Sequence, residues 1–143
     1  MRYKQLPHIL LIVCFQVAPA LADHELVNRD IVRGKENYQS QCASCHGVDL
    51  EGQPNWRSFK EDGSLPAPPH DESGHTWHHD TGTLFDYTKL GGQATLEAAG
   101  VTDYNSGMPA FDGILTDQEI WEILTFIRST WSLRIQQAHA KRH

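Results

Sequence analysis

The sequence predicts an all-α domain. A helix near its start packs on a helix near its end, and the middle closes around something other than side chains. Three observations lead there. Residues 27–41 have helical spacing, and residues 117–134 form an amphipathic stripe with its own start signal. Between them a proline- and glycine-rich stretch follows Cys42-Ala43-Ser44-Cys45-His46. At 143 residues the chain suits one domain rather than two.

Residues 1–22 read as a cleaved secretory leader and 23–143 as the single domain. Arg2 and Lys4 precede the apolar run Ile9 to Phe15, and Ala20-Leu21-Ala22 supplies a small-residue cleavage site. An uncleaved anchor fits less well, because Pro7, His8, Gln16 and Pro19 interrupt the run far short of the ~20 apolar residues of a membrane helix. A lipoprotein reading of Cys14 is weak, since Val13 rather than a small residue precedes it. Cleavage implies an exported, periplasmic protein with no membrane span, and it removes Cys14. Only Cys42 and Cys45 then remain.

The first helix is expected over about Val27 to Gln41, where Ile31, Lys35 and Tyr38 recur at helical spacing. Gly34 lies four residues before Tyr38. A glycine inside a helix costs about 1 kcal/mol relative to alanine, so its expected use is to admit another helix closely.

Next comes Cys42-Ala43-Ser44-Cys45-His46, a run that marks covalent haem attachment. The thiols add to the porphyrin vinyl groups as thioethers, and the adjacent histidine is placed to ligate iron. Two cysteines so spaced in an exported chain would otherwise form a disulfide. Zinc is the other rival and needs four ligands, such as Cys42 and Cys45 with His75 and His79. That leaves a long gap between ligand pairs and gives His46 no part. In the haem reading His46 binds through Nε2 and donates Nδ1–H to a backbone carbonyl. Leu65-Pro66-Ala67-Pro68-Pro69 and Pro54 are the candidate sources of that carbonyl.

From Gly47 to Asp80, Gly52, Pro54, Gly63, Pro66, Pro68, Pro69 and Gly74 interrupt regular structure. So long a loop fits a compact domain only if haem supplies the missing core. Within it, His70, His75, His78 and His79 stand among Asp71, Glu72 and Asp80. Histidine-rich tracts bind metals, so a second metal such as copper or zinc is one reading. Hydrogen bonding to the haem propionates, with the Trp77 indole taking part, is the other. A short helix is expected over about Thr83 to Lys89, ending at Gly91-Gly92.

Met108 is the only methionine besides Met1 and lies between Gly107 and Pro109 in a polar stretch. Although a lone methionine often fills core space, this setting favours a sixth ligand, and a His/Met pair raises the reduction potential. The final helix is expected from Asp117 to Arg134. Thr116 and Glu119 form a capping box, and Ile120, Trp121, Leu124, Ile127 and Trp131 form one apolar stripe. From about Gln136 the polar tail is expected to fray.

The net charge of −6 argues against nucleic acid. It suits a redox partner with a basic or mixed surface, approached by electrostatic steering.

Tyr38 to Gly47, Gly107-Met108-Pro109-Ala110-Phe111 and the Thr116 to Trp131 helix together resemble class I c-type cytochromes. The chain is especially similar to small monohaem periplasmic cytochromes of bacteria, which carry similar Pro-Ala-Pro-Pro-His-Asp and Gly-His-Thr-Trp-His-His stretches. The resemblance implies a cytochrome c fold with terminal helices crossing near Gly34 and haem enclosed by loops and short helices. It also implies one haem c on Cys42 and Cys45, axial ligands His46 and Met108, and a monomeric electron carrier rather than an enzyme. The long Pro/His-rich loop departs from the compact mitochondrial pattern. A ligand-binding or peroxidase-like enzyme would follow if Met108 were labile, and copper handling if the His70–His79 loop held that metal.

Overall fold

A computed structural model describes residues 24–142; the leader reading of residues 1–22 lies outside them. Six α-helices follow in order: α1 (Ile31–Gln41), α2 (Ala43–His46), α3 (Thr81–Leu90), α4 (Gly92–Ala98), α5 (Asp117–Ser129) and α6 (Leu133–His139). Short 3₁₀ turns occupy His24–Leu26 and Thr76–His78. Among the described residues β pairing is limited to the isolated bridges Ser64–Asn105 and Asp112–Leu115. None of the described helices is long and apolar enough to cross a membrane.

The expected first helix begins four residues later than its spacing suggested. Asn28 takes a positive φ of 58°, and Asp30 is extended. The Asp30 carboxylate accepts from the amides of Val32 and Arg33, both at 3.0 Å, which starts α1 there. At the other end, α5 carries the full capping box: Thr116 Oγ1 accepts from the Glu119 amide, and the Glu119 carboxylate accepts from the Thr116 amide.

α1 and α5 are the most extensively packed pair of elements. Gly34 makes their approach possible. A Cβ built at Gly34 would lie 2.1 Å from the Glu122 carbonyl oxygen and 3.2 Å from the Ile123 nitrogen, both backbone atoms of α5. Tyr38, Ile120, Ile123, Leu124 and Ile127 fill the seam beside this crossing and are nearly inaccessible to solvent. Burying each such side chain contributes about 1.5–3 kcal/mol.

Two further expectations are corrected. The terminal helix stops at Ser129 instead of continuing to Arg134. There the Ser129 and Thr130 hydroxyls donate to the carbonyls of Phe126 and Ile127, both at 2.7 Å, satisfying the helix end. Nor is the tail frayed from residue 136: α6 packs on the Thr76–His78 turn, with Ile135 and His139 buried. Gly91 caps α3 as expected, and Gly92 also starts a further helix, α4.

Candidate haem site

The site begins where α1 runs into α2. The amides of Cys45 and His46 donate to the Cys42 carbonyl, at 3.1 and 2.9 Å, so one tight turn carries both cysteines and the histidine. The buried Tyr38 hydroxyl donates to the Gly47 carbonyl at 2.9 Å and locks the end of that turn to α1. Cys45 is exposed and Cys42 is partly buried. Burial, helped by the charge of Cys45, pushes the Cys42 thiol up to about 12. At neutral pH Cys42 is therefore a protonated thiol in the protein without its cofactor.

His46 is 8 % exposed, and its Nδ1 lies 2.9 Å from the Pro68 carbonyl oxygen. A carbonyl only accepts, so Nδ1 must carry the proton and Nε2 must hold the lone pair. Burial lowers the pKa of His46, against a smaller opposing effect of the Pro68 carbonyl, so the ring is neutral at pH 7. Both effects leave His46 competent to bind a metal through Nε2. Of the two proline sources considered in the sequence, the 65–69 run supplies the carbonyl and Pro54 does not.

Glycine lets that proline run come close enough. Gly52 has φ +68°, and a Cβ there would fall 2.5 Å from the Pro69 nitrogen and 2.7 Å from the Pro68 carbonyl carbon. Its amide donates to the His46 carbonyl at 2.8 Å, while the Gln53 amide donates to the Ala67 carbonyl at 2.9 Å. The attachment turn and the proline run are thus sewn together through residues 52 and 53.

Met108 is held by different elements. Its carbonyl accepts from the Gly92 amide at 3.1 Å, and the Phe111 amide donates to the Thr88 and Lys89 carbonyls at 3.2 and 3.1 Å. The Ser106 amide donates to the Gln93 side chain at 3.0 Å. Gly91, at φ +84°, passes so near Pro109 and Ala110 that a Cβ would sit 2.9 Å from the Ala110 nitrogen. The methionine loop is therefore clamped to the α3–α4 junction.

These two assemblies border one cavity of about 530 Å³. Cys42, Cys45, His46 and Met108 all line it, with Pro68, Leu96, Phe111, Ile123, Leu124 and Ile127 among the apolar walls. A largely apolar cavity of this size with a few convergent ligating groups is the setting of a cofactor site. Two thiols, one neutral imidazole presenting Nε2 and one thioether fit haem. Sequence spacing did not mark Trp56, Tyr87 or Tyr104, which also line the cavity. They are separated aromatics on a loop, a short helix and a second loop, and only the tertiary fold brings them together.

The four histidines proposed for a second metal do not gather. His70 stacks on His46, His75 stacks on Trp56, and His78 lies against Trp77 and Arg142. His79 meets the His75 ring edge-on, and both line the haem cavity. Among the described residues no set of three or more His, Cys, Asp or Glu side chains is arranged to hold a metal ion. Trp77 likewise departs from its expected role. Its indole N–H donates to the Glu72 carbonyl at 3.3 Å.

Comparison with family models matches residues 31–131 to the family described as Cytochrome c. The chain belongs to the cytochrome c family. No curated protein and no solved structure matched it. The cofactor of this cytochrome is covalently attached haem c, with Cys42 and Cys45 at the attachment spacing, and its chemistry is haem-based electron transfer. The all-helical fold expected from the sequence agrees with both the family and the structure.

Proposed function

We propose that this cytochrome is a soluble periplasmic one-electron carrier whose haem iron is ligated by His46 and Met108. The observation that carries this reading is the convergence of His46, Met108 and both cysteines on one cavity. When bound, haem supplies an iron centre that cycles between the ferric and ferrous states. The protein's part is to hold both ligands still and to keep water out. His46 is held by Pro68 and Met108 by the α3–α4 clamp. A thioether ligand together with an apolar enclosure raises the potential. The acidic chain, at net −6, suits donors and acceptors with basic or mixed surfaces. Export rests on the leader-like residues 1–22, and a monomeric carrier is part of the same proposal.

The test is optical. Protein made with a haem-attachment system should carry haem through a denaturing gel and show the weak far-red sulfur-to-iron(III) band. Met108→Ala should lose that band, fall in potential and bind carbon monoxide in the ferrous state. An unchanged spectrum and potential in Met108→Ala would remove Met108 from the iron. Tight carbon monoxide binding by the unaltered ferrous protein would instead favour a ligand-binding or enzymatic role.

A further inference from the structure

Resting on His46 as an iron ligand, we propose that His70 is a positioning residue for it: the His70 imidazole, stacked on the His46 ring, fixes the rotation of the axial histidine. The ring centroids are 4.0 Å apart and the planes differ by 20°. Parallel rings at that distance present faces to each other and no lone pairs. His70 therefore acts on His46 by contact, and it borders the same cavity.

The hydrogen bond to Pro68 fixes one point on the His46 ring. One point leaves the ring free to pivot about the Nδ1···O direction. A flat neighbour against its face removes that freedom, provided the neighbour is itself immobile. His70 meets this condition at four places. Its Nδ1 lies 2.7 Å from Thr76 Oγ1, and its amide donates to the Leu50 carbonyl at 2.8 Å. Its carbonyl accepts from the Trp131 indole at 2.8 Å, and its ring meets Tyr38 edge-on at 6.3 Å. Thr76 Oγ1 is anchored in turn, 3.4 Å from the Pro69 carbonyl, and Thr76 is 5 % exposed. The stack thus rests on Tyr38 of α1, Leu50 in the loop after α2, Thr76 of the 3₁₀ turn and Trp131, two residues beyond α5.

Groups around a metal-bound histidine orient it and tune the metal. The rotation of an axial imidazole decides which iron d orbital its π electrons meet. A low-spin ferric haem reports that angle in its electron paramagnetic resonance anisotropy and in the hyperfine shifts of the ligand ring. The His70 ring also occupies space beside His46 that water would otherwise enter. Water there would favour the more highly charged ferric state and lower the potential.

The experiment compares holoprotein of the natural sequence with His70→Ala, His70→Phe and Thr76→Val. Each is measured by low-spin ferric resonance, by proton NMR of the His46 ring and by potentiometry. The natural protein should give one narrow low-spin species. His70→Ala should give a broadened or multiple spectrum and a lower potential. His70→Phe, which restores a flat ring but not the hydrogen bond to Thr76, should narrow the spectrum relative to His70→Ala without reaching the natural protein. Thr76→Val, which keeps the ring but loosens the same anchor, should likewise fall between His70→Ala and the natural protein. An unshifted spectrum and potential in His70→Ala would overturn the proposal, as would failure of a folded His70→Phe to narrow the spectrum. If His70→Ala does not mature, an unchanged Thr76→Val spectrum has the same force. Failure of the underlying ligand assignment is distinguishable, because the natural protein itself would then show no hyperfine-shifted resonances from the His46 ring.

Discussion

Pro68, His46 and Gly52 illustrate how much is decided by single residues. The tautomer of His46 follows from facing a group that can only accept, and Pro68 reaches it only because residue 52 has no Cβ. Gly52→Ala would place a methyl group against the Pro68–Pro69 backbone and hold a non-glycine residue at φ +68°. Overpacking and the strained backbone together should cost about 1–3 kcal/mol. Chemical denaturation of the holoprotein would measure the loss. The damage should be one-sided: the methionine loop is held elsewhere, so the far-red band should persist. The sequence displayed the candidate ligands themselves, because covalent attachment demands a fixed pentapeptide and Met108 is the only methionine besides Met1. It did not identify the residues that make the ligands usable. Gly52 looked like one loop glycine among several, and the carbonyl that accepts from His46 was undecided between the 65–69 run and Pro54 until the backbone path was known.

Elements were legible where their signals were local. The capping box at Thr116 and the stripe from Ile120 to Trp131 mark α5, and Gly34 marks the crossing with α1. Gly34→Ala would set a Cβ 2.1 Å from a backbone oxygen that cannot rotate away. Although alanine favours a helix by about 1 kcal/mol over glycine, the steric cost should win, because α1 and α5 must separate. We expect a lower midpoint of thermal unfolding, with the far-red band retained at low temperature. A gain in stability would mean that the helices part cheaply at this point. Boundaries were less legible. α1 starts at the Asp30 cap, overriding the apolar spacing that began at Val27. α4 was hidden because a glycine pair reads as a stop, whereas here the second glycine is the first residue of a new helix. α6 was hidden by polarity: only Ile135 and His139 of its seven residues are buried, too few for a periodic signal.

At the scale of the whole molecule, α6 joins the chain's far end to the histidine loop. The Glu72 carboxylate accepts from the Ser132 amide, which begins α6. The Arg142 guanidinium donates to the Trp77 carbonyl at 3.2 Å and meets His78 Nδ1 at 3.3 Å. A chain terminated after Trp131 would lose these ties and the burial of Ile135, worth about 1.5–3 kcal/mol. It should unfold at lower temperature, and amide hydrogens of residues 70–78 should exchange faster than those of α3. Equal protection of the 70–78 segment in both proteins would show that α6 does not hold it.

The bond from Trp131 to His70 spans 61 positions of sequence, and that from Arg142 to Trp77 spans 65. Synthesis runs from the N-terminus, so the attachment cysteines emerge well before the residues that secure the wall behind His46. While the chain is being made, the cysteines precede the residues that secure that wall. Enclosure of the histidine side therefore waits on the last third of the chain, whereas the attachment turn is complete within its first.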